Sequence, residues 1–228
     1  MKAPTKDQLH PRNKNRELYD LDALEKLEPE LSPFISKNEF GNLSVDYSDP
    51  KAIKLLNKGI LKHYYELEFW EFPDHHLCPA VPGRADYLHY VADLIGDEKK
   101  EKGRNLRCLD VGTGASLIYP IIGVQEYNWS FVATDIDPNT IQIAKQIVNQ
   151  NSTLKGKIGC VLQPNVYAFF ENIIQLQINK AKYLTYAILI YIRLGIFLLQ
   201  SLRCLLQYAL IFLKLQVFIC RRRTFYSI

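Results

Sequence analysis

Between Leu106 and Asp137 two short apolar runs bracket a pair of glycines, and no other stretch limits the folds open to this chain so strongly. The first run, Leu106 to Val111, meets Gly112 and Gly114; the second, Phe131 to Thr134, ends on Asp135 and is followed by Asp137-Pro138. That order predicts strand, tight loop, helix, strand, acidic residue, helix, the first half of a nucleotide-binding α/β sheet. Ligands of an open parallel sheet sit beyond the carboxyl ends of its strands. Glycine there permits positive φ and close approach to the backbone, and an acid ending the next strand can accept both hydroxyls of a ribose. Asp135 is that acid. The dinucleotide fingerprint G-x-G-x-x-G is not met, because Leu117 stands at its third glycine. The plainer alternative is that the glycines only turn the chain and Asp135 only caps a helix.

Composition divides the chain into two parts. All 24 Asp and Glu lie at or before Glu171, with 20 of the 28 Lys and Arg, so this body carries a net charge of −4 and the remainder +8. The length of 228 residues fits one α/β domain with an N-terminal extension. Its five cysteines are widely spaced with no C-x-x-C pair, the usage expected of reduced thiols in a cytosolic protein. No apolar run follows the first residues, so no cleaved signal peptide is expected.

Residues 1–48 are expected to form a basic arm and extension. Lys2, Lys6, Arg12, Lys14 and Arg16 stand against three acids in the first twenty positions. Such an arm can contact phosphates or remain a solvated terminus. Asp22 to Leu31 predicts a short helix with Leu24, Leu27 and Leu31 on one face. Residues 38–47 are expected to be extended or turning. A helical lead-in is expected over 49–104. Asp49-Pro50 is a capping residue followed by proline at the first helical position, and Ile53, Leu56, Ile60, Leu61 and Tyr64 recur at helical spacing. Lys51, Lys54, Lys58 and Lys62 line another face, which is either solvated or RNA-facing. His63, His75, His76 and Cys78 lack the paired spacing of zinc sites, so no metal is expected. Gly83-Arg84 opens a second helix through Leu94. Asp137-Pro138 opens a third, and Ile158 to Gln163 predicts a third strand, with Asn165 just beyond it. Tyr167 to Ile174 predicts a further helical turn.

Asp110 precedes the first glycine, and Asp-x-Gly-x-Gly with an acid ending the next strand resembles the S-adenosylmethionine site of a class I methyltransferase. Three further stretches sharpen the resemblance: Leu9-His10-Pro11-Arg12-Asn13, Cys78-Pro-Ala-Val-Pro-Gly-Arg-Ala-Asp-Tyr-Leu-His-Tyr90, and Ile118-Tyr-Pro-Ile-Ile-Gly-Val-Gln-Glu-Tyr127. They closely resemble the RlmF family, bacterial enzymes that methylate the N6 amine of an adenine in 23S rRNA, from about residue 6 to about Gln175. The resemblance implies a class I, Rossmann-like α/β fold whose N-terminal half spans 105–175. It implies S-adenosylmethionine as cofactor, 23S rRNA or its assembly intermediate as partner, and a cytoplasmic location. The implied cofactor-binding residues are Arg84, Asp110, Gly112, Gly114, Asp135 and Asn165, with Arg84 pairing the methionine carboxylate and Asn165 meeting the adenine or amine.

The pattern stops before the end of the chain. N6-adenine methyltransferases carry an Asn-Pro-Pro-Phe motif after the fourth strand, which accepts from the exocyclic amine and stacks on the extruded base. This sequence contains none, and no catalytic residue is assigned. Residues 176–228 are an apolar tail with no acid, where the body's composition would give about eight. The expectation is an incomplete fold with an atypical apolar helical tail, arising from a reading-frame shift near codon 175. A membrane anchor is the rival, but Arg193 interrupts the run Tyr183 to Leu199.

Overall fold

A computed structural model of the chain describes residues 8–94, 106–165 and 186–189. Two capped helices carry the lead-in and the middle of the fold. Helix α2 (Pro50–Tyr65) starts where Asp49 Oδ1 accepts from the amides of Lys51 (2.8 Å) and Ala52 (3.2 Å). Helix α5 (Pro138–Gln150) starts where Asp137 accepts from the amides of Asn139 and Thr140. Each cap satisfies amides that have no partner within the helix.

Before α2 lie α1 (Leu21–Leu27), a 3₁₀ segment (Pro29–Phe34) and the antiparallel pair β1 (Ile35–Lys37) and β2 (Leu43–Val45). The single helix expected over Asp22 to Leu31 is therefore broken. Pro29 cannot continue the ladder of α1; Leu31, in the 3₁₀ segment, is buried, while Leu27 at the end of α1 is exposed. Helix α3 (Val81–Leu94) starts two residues before the expected Gly83, with Pro82 tolerated in the first turn.

The parallel sheet contains β3 (Arg107–Val111), β4 (Ser130–Asp135), β5 (Ile158–Leu162) and β6 (Tyr186–Leu189), in the order β5-β4-β3-β6. Helix α4 (Ile118–Tyr127) crosses from β3 to β4 and α5 from β4 to β5. Register pairs Asp110 with Ala133 and Val111 with Thr134, so the ends of β3 and β4 lie side by side. The chain winds outward from β3 to β5, and β6 then lies on the other side of β3. The order thus reverses at β3, and the crevice beyond its carboxyl end is the switch point where such sheets bind ligands.

One hydrophobic core joins the lead-in to the sheet. Leu24, Leu31, Ile60, Leu61, Trp70 and Leu88 belong to the same buried cluster as Ile121, Trp129, Phe131 and Ile147. The opposite sheet face carries a smaller cluster of Leu109 and Val132 with Val111 and Val161. Burial on both faces explains why β3 and β4 read as continuous apolar runs rather than alternating ones.

The expected apolar helical tail and the helical turn at Tyr167 to Ile174 lie outside the described residues, except that Tyr186–Leu189 form a strand rather than a helix. Its pairing runs from Arg107↔Tyr186 to Asp110↔Leu189. The physical reason is the free edge of β3. An apolar, uncharged segment satisfies the backbone groups there, which a helix would leave unpaired.

Candidate functional site

Three positive φ angles in six residues shape the turn between β3 and α4. Gly112 (φ 74°), Gly114 (φ 68°) and Leu117 (φ 52°) occupy the left-handed region, which only glycine enters freely. The loop is tied to the end of β4. The Thr134 carbonyl accepts from the amides of Gly112 (2.8 Å) and Thr113 (2.9 Å), and Asp135 Oδ2 accepts from the Gly114 amide at 3.0 Å. Trp70, fully buried, donates from Nε1 to the Ser116 carbonyl at 2.8 Å and backs the loop from the lead-in. The loop shape is therefore imposed before any ligand arrives.

Two acids meet at this loop in different environments. Asp135 is half-buried at the strand end, and its Oδ1 accepts from the Asp137 amide at 3.2 Å. Each of its oxygens retains the capacity to accept from a second donor. Asp110 is fully buried; Oδ2 accepts from Thr113 Oγ1 at 2.7 Å, while Oδ1 has no partner among the described residues. Burial pushes its carboxyl up to about 6, and the nearby Asp135 charge pushes the same way against the Thr113 hydrogen bond. A buried acid with an unused oxygen beside an open glycine turn suits a cationic or hydrogen-bond-donating ligand.

Arg84, on α3, reaches the first turn of α4. Its Nη1 donates to the Tyr119 hydroxyl at 3.0 Å, and the guanidinium lies over the Tyr119 ring, 5.5 Å from its centroid. Tyr119 stands in the first turn of α4, two residues after Leu117. On the other flank the Gln163 amide donates to the Asp135 carbonyl at 2.9 Å, and the exposed Asn165 follows, its amide donating to Gln163 Oε1 at 3.2 Å. Gly112, Gly114, Asp110 and Asp135 thus form one hydrogen-bonded unit through Thr113 and Thr134, while Arg84 contacts Tyr119 and Asn165 contacts Gln163. Trp70, Thr113 and Tyr119 were not singled out by the sequence. Thr113 stands three residues after Asp110, a spacing that could have signalled a bond; Trp70 lies in an aperiodic loop and carries no such signal.

The basic residues have other engagements. In the arm, Arg12 donates to the His89 carbonyl (3.0 Å), the Tyr127 hydroxyl (3.2 Å) and Asp93, while Lys14 pairs with Glu126 at 2.8 Å. On α2, Lys54 pairs with Asp74, Lys58 with Glu71 and Glu28, and Lys62 with Glu28. Lys51 lies over the Phe34 ring. Over residues 8–16 the basic arm is docked on α3 and α4. Three lysines of the α2 face are paired with neighbouring acids of the same chain.

A parallel sheet reversing at β3, a positive-φ glycine turn and an acid ending the next strand fit the class I methyltransferase fold. A profile of this class described as RNA methyltransferase matches residues 3–185. The chain belongs to that RNA methyltransferase family. It is similar to ribosomal RNA large subunit methyltransferase F of Yersinia pestis (strain Pestoides F), 48% identical over 171 residues, which are 74% of this chain and 51% of that protein. The corresponding protein of Yersinia enterocolitica is 47% identical over 172 residues, again 74% of this chain and 51% of that one. The chain therefore spans about half the length of the curated relatives it matches. Among solved structures, the N-terminal domain of human METTL16 in complex with SAH aligns with a TM-score of 0.63 and 33% identity, over 69% of this chain and 60% of that one. The METTL16 catalytic domain in complex with a MAT2A 3′UTR hairpin aligns with a TM-score of 0.60 and 34% identity, over 69% and 52%. The expected resemblance and fold are borne out.

Proposed function

We propose that this chain holds S-adenosylmethionine as the front half of an RNA methyltransferase that acts on the N6 amine of an adenine in 23S rRNA. The hydrogen bond from the Gly114 amide to Asp135 Oδ2 carries the reading, because it sets a bare backbone turn beside a ribose-accepting acid. A Cβ built at Gly114 meets nothing within 4 Å, so the space above the turn is open to a ligand. In this reading Asp135 accepts from the ribose hydroxyls, the Gly112-to-Gly114 backbone lies along the cofactor, and Asp110 faces its cationic amine. Arg84 pairs the methionine carboxylate and Asn165 meets the adenine. The cofactor supplies the methyl group.

The base-binding half of the chemistry has no counterpart here, since the sequence lacks an Asn-Pro-Pro segment. The chain is accordingly proposed to bind cofactor without transferring methyl by itself. Free thiols at Cys78, Cys108 and Cys160 suit a cytoplasmic location. No helix among the described residues is long and apolar enough to cross a membrane. The test is radiolabelled methyl transfer to undermethylated 23S rRNA. The chain alone is expected to give no transfer, and a chimera carrying a Yersinia relative's C-terminal portion is expected to label adenine N6. A chimera that folds but neither binds the cofactor nor transfers its methyl would overturn the assignment.

A further inference from the structure

The docked arm touches the helix that carries Arg84 at two residues flanking it. Asn13, only 3% exposed, donates from Nδ2 to the Pro82 carbonyl at 2.9 Å and to Asp86 Oδ1 at 3.2 Å. Pro82 and Asp86 stand two residues before and two after Arg84. The same Asp86 oxygen accepts from the His10 amide. The Asn13 amide has one orientation available, because its Oδ1 accepts from the Asn15 amide (3.0 Å) and from Asn15 Nδ2 (2.9 Å). The arm is itself anchored further along α3 and on α4, with His10 Nε2 bonded to Asp93 at 2.9 Å and Arg12 bonded to the His89 carbonyl and the Tyr127 hydroxyl.

These contacts fix the first turns of α3 from outside the sheet. The Arg84 side chain is long and costs much rotamer freedom to immobilise, so its reach to a ligand depends on where that turn is held. Tyr119 fixes the far end of the guanidinium on α4. Asn13 fixes the near end of the backbone that bears it.

We propose that Asn13 is a positioning residue that sets Arg84 for the carboxylate of the cofactor's amino-acid portion. The proposal rests on the reading of Arg84 given above and adds the arm as a determinant of that subsite. Its signature is selective. Losing the Asn13 clamp weakens ligands that present a carboxylate to Arg84 and spares those that do not, whereas a merely structural role would weaken both alike.

The experiment is calorimetric titration of the full chain with S-adenosylhomocysteine and with its decarboxylated analogue, which lacks only that group. Asn13→Asp keeps the acceptor for Asn15 and places a carboxylate against Asp86 and the Pro82 carbonyl. It is expected to weaken S-adenosylhomocysteine roughly tenfold, the scale of loss from a small misplacement of a binding group, and to leave the analogue within about twofold of the parent chain. Arg84→Ala combined with Asn13→Asp is expected to bind S-adenosylhomocysteine no more weakly than Arg84→Ala alone. Asn13→Ser, which still offers an acceptor but is too short to reach Pro82, provides the same comparison should the aspartate variant fold poorly. Equal weakening of both ligands, or additive losses in the double variant, overturns the proposal while leaving Arg84 assigned. A parent chain that binds both ligands equally overturns the assignment of Arg84 and the proposal with it.

Discussion

Asp110 and His89 are buried titratable groups displaced in opposite directions. Burial, helped by Asp135, raises Asp110 to about 6, while burial, helped by the neighbouring His10 and then Arg12, lowers His89 to about 4. For Asp110 the folded chain holds its proton more firmly than the unfolded one. Its contribution is complete below the ordinary carboxylate range and is lost as pH rises through about 6. For His89 the folded chain resists protonation, so its contribution is present above the ordinary histidine value and is lost as pH falls towards 4. Within the window from pH 4 to 6.5 the two oppose one another. Asp110→Asn is therefore expected to make the melting temperature fall more steeply on acidification from pH 6.5 to 4 than it does in the parent chain. His89→Gln, which leaves Asp110 in place, is expected to make it fall less steeply. A melting series in which Asp110→Asn keeps the parent slope would show that Asp110 is already ionised in the folded chain.

At the scale of elements, the close seat of α4 on β4 depends on Gly123. A Cβ there would lie 2.5 Å from Phe131 Cζ and 3.3 Å from Trp129 Cε3. Both rings are fully buried and have no room to swing away. Gly123→Ala is expected to cost about 2 kcal/mol through overpacking, despite alanine's better helix propensity. Thermal or urea unfolding checks this, and an unchanged or raised midpoint would show that α4 shifts freely on the sheet. Asn151 performs a comparable task at the end of α5. It accepts from the Glu68 and Phe69 amides and donates to the Phe69 and Ile147 carbonyls, holding the segment that delivers Trp70 to the glycine turn. The caps of α2 and α5 were legible in the sequence because Asp-Pro is a local signal. So were β3, β4 and β5, whose apolar runs end on turn residues. The arm, the Trp70 buttress and the pairing of Lys54, Lys58 and Lys62 were not legible, because each depends on a partner many residues away. The break at Pro29 was readable in principle, but the leucine spacing masked it.

For the whole molecule, a single core ties the lead-in to the sheet, and the candidate site residues Asp110, Gly112, Gly114 and Asp135 lie where that core meets the carboxyl ends of β3 and β4. The arm and lead-in therefore pack as one body with the proposed cofactor site. Sequence reading located Gly112, Gly114, Asp110 and Asp135 because motif residues close in sequence report a local turn. The arm's cations left two readings open, phosphate contact or a solvated terminus, and folding pairs Arg12 with Asp93 and Lys14 with Glu126. The central claim is that the glycine turn and Asp135 together grip an adenosine-bearing methyl donor. Calorimetric titration of the purified chain with S-adenosylhomocysteine tests it most directly. The account predicts saturable one-to-one binding that weakens at least about tenfold in Asp135→Ala, consistent with loss of a charge-assisted ribose contact, while the variant's melting temperature stays near that of the parent. An absence of binding by the folded parent chain, or equal affinity in Asp135→Ala, would contradict it.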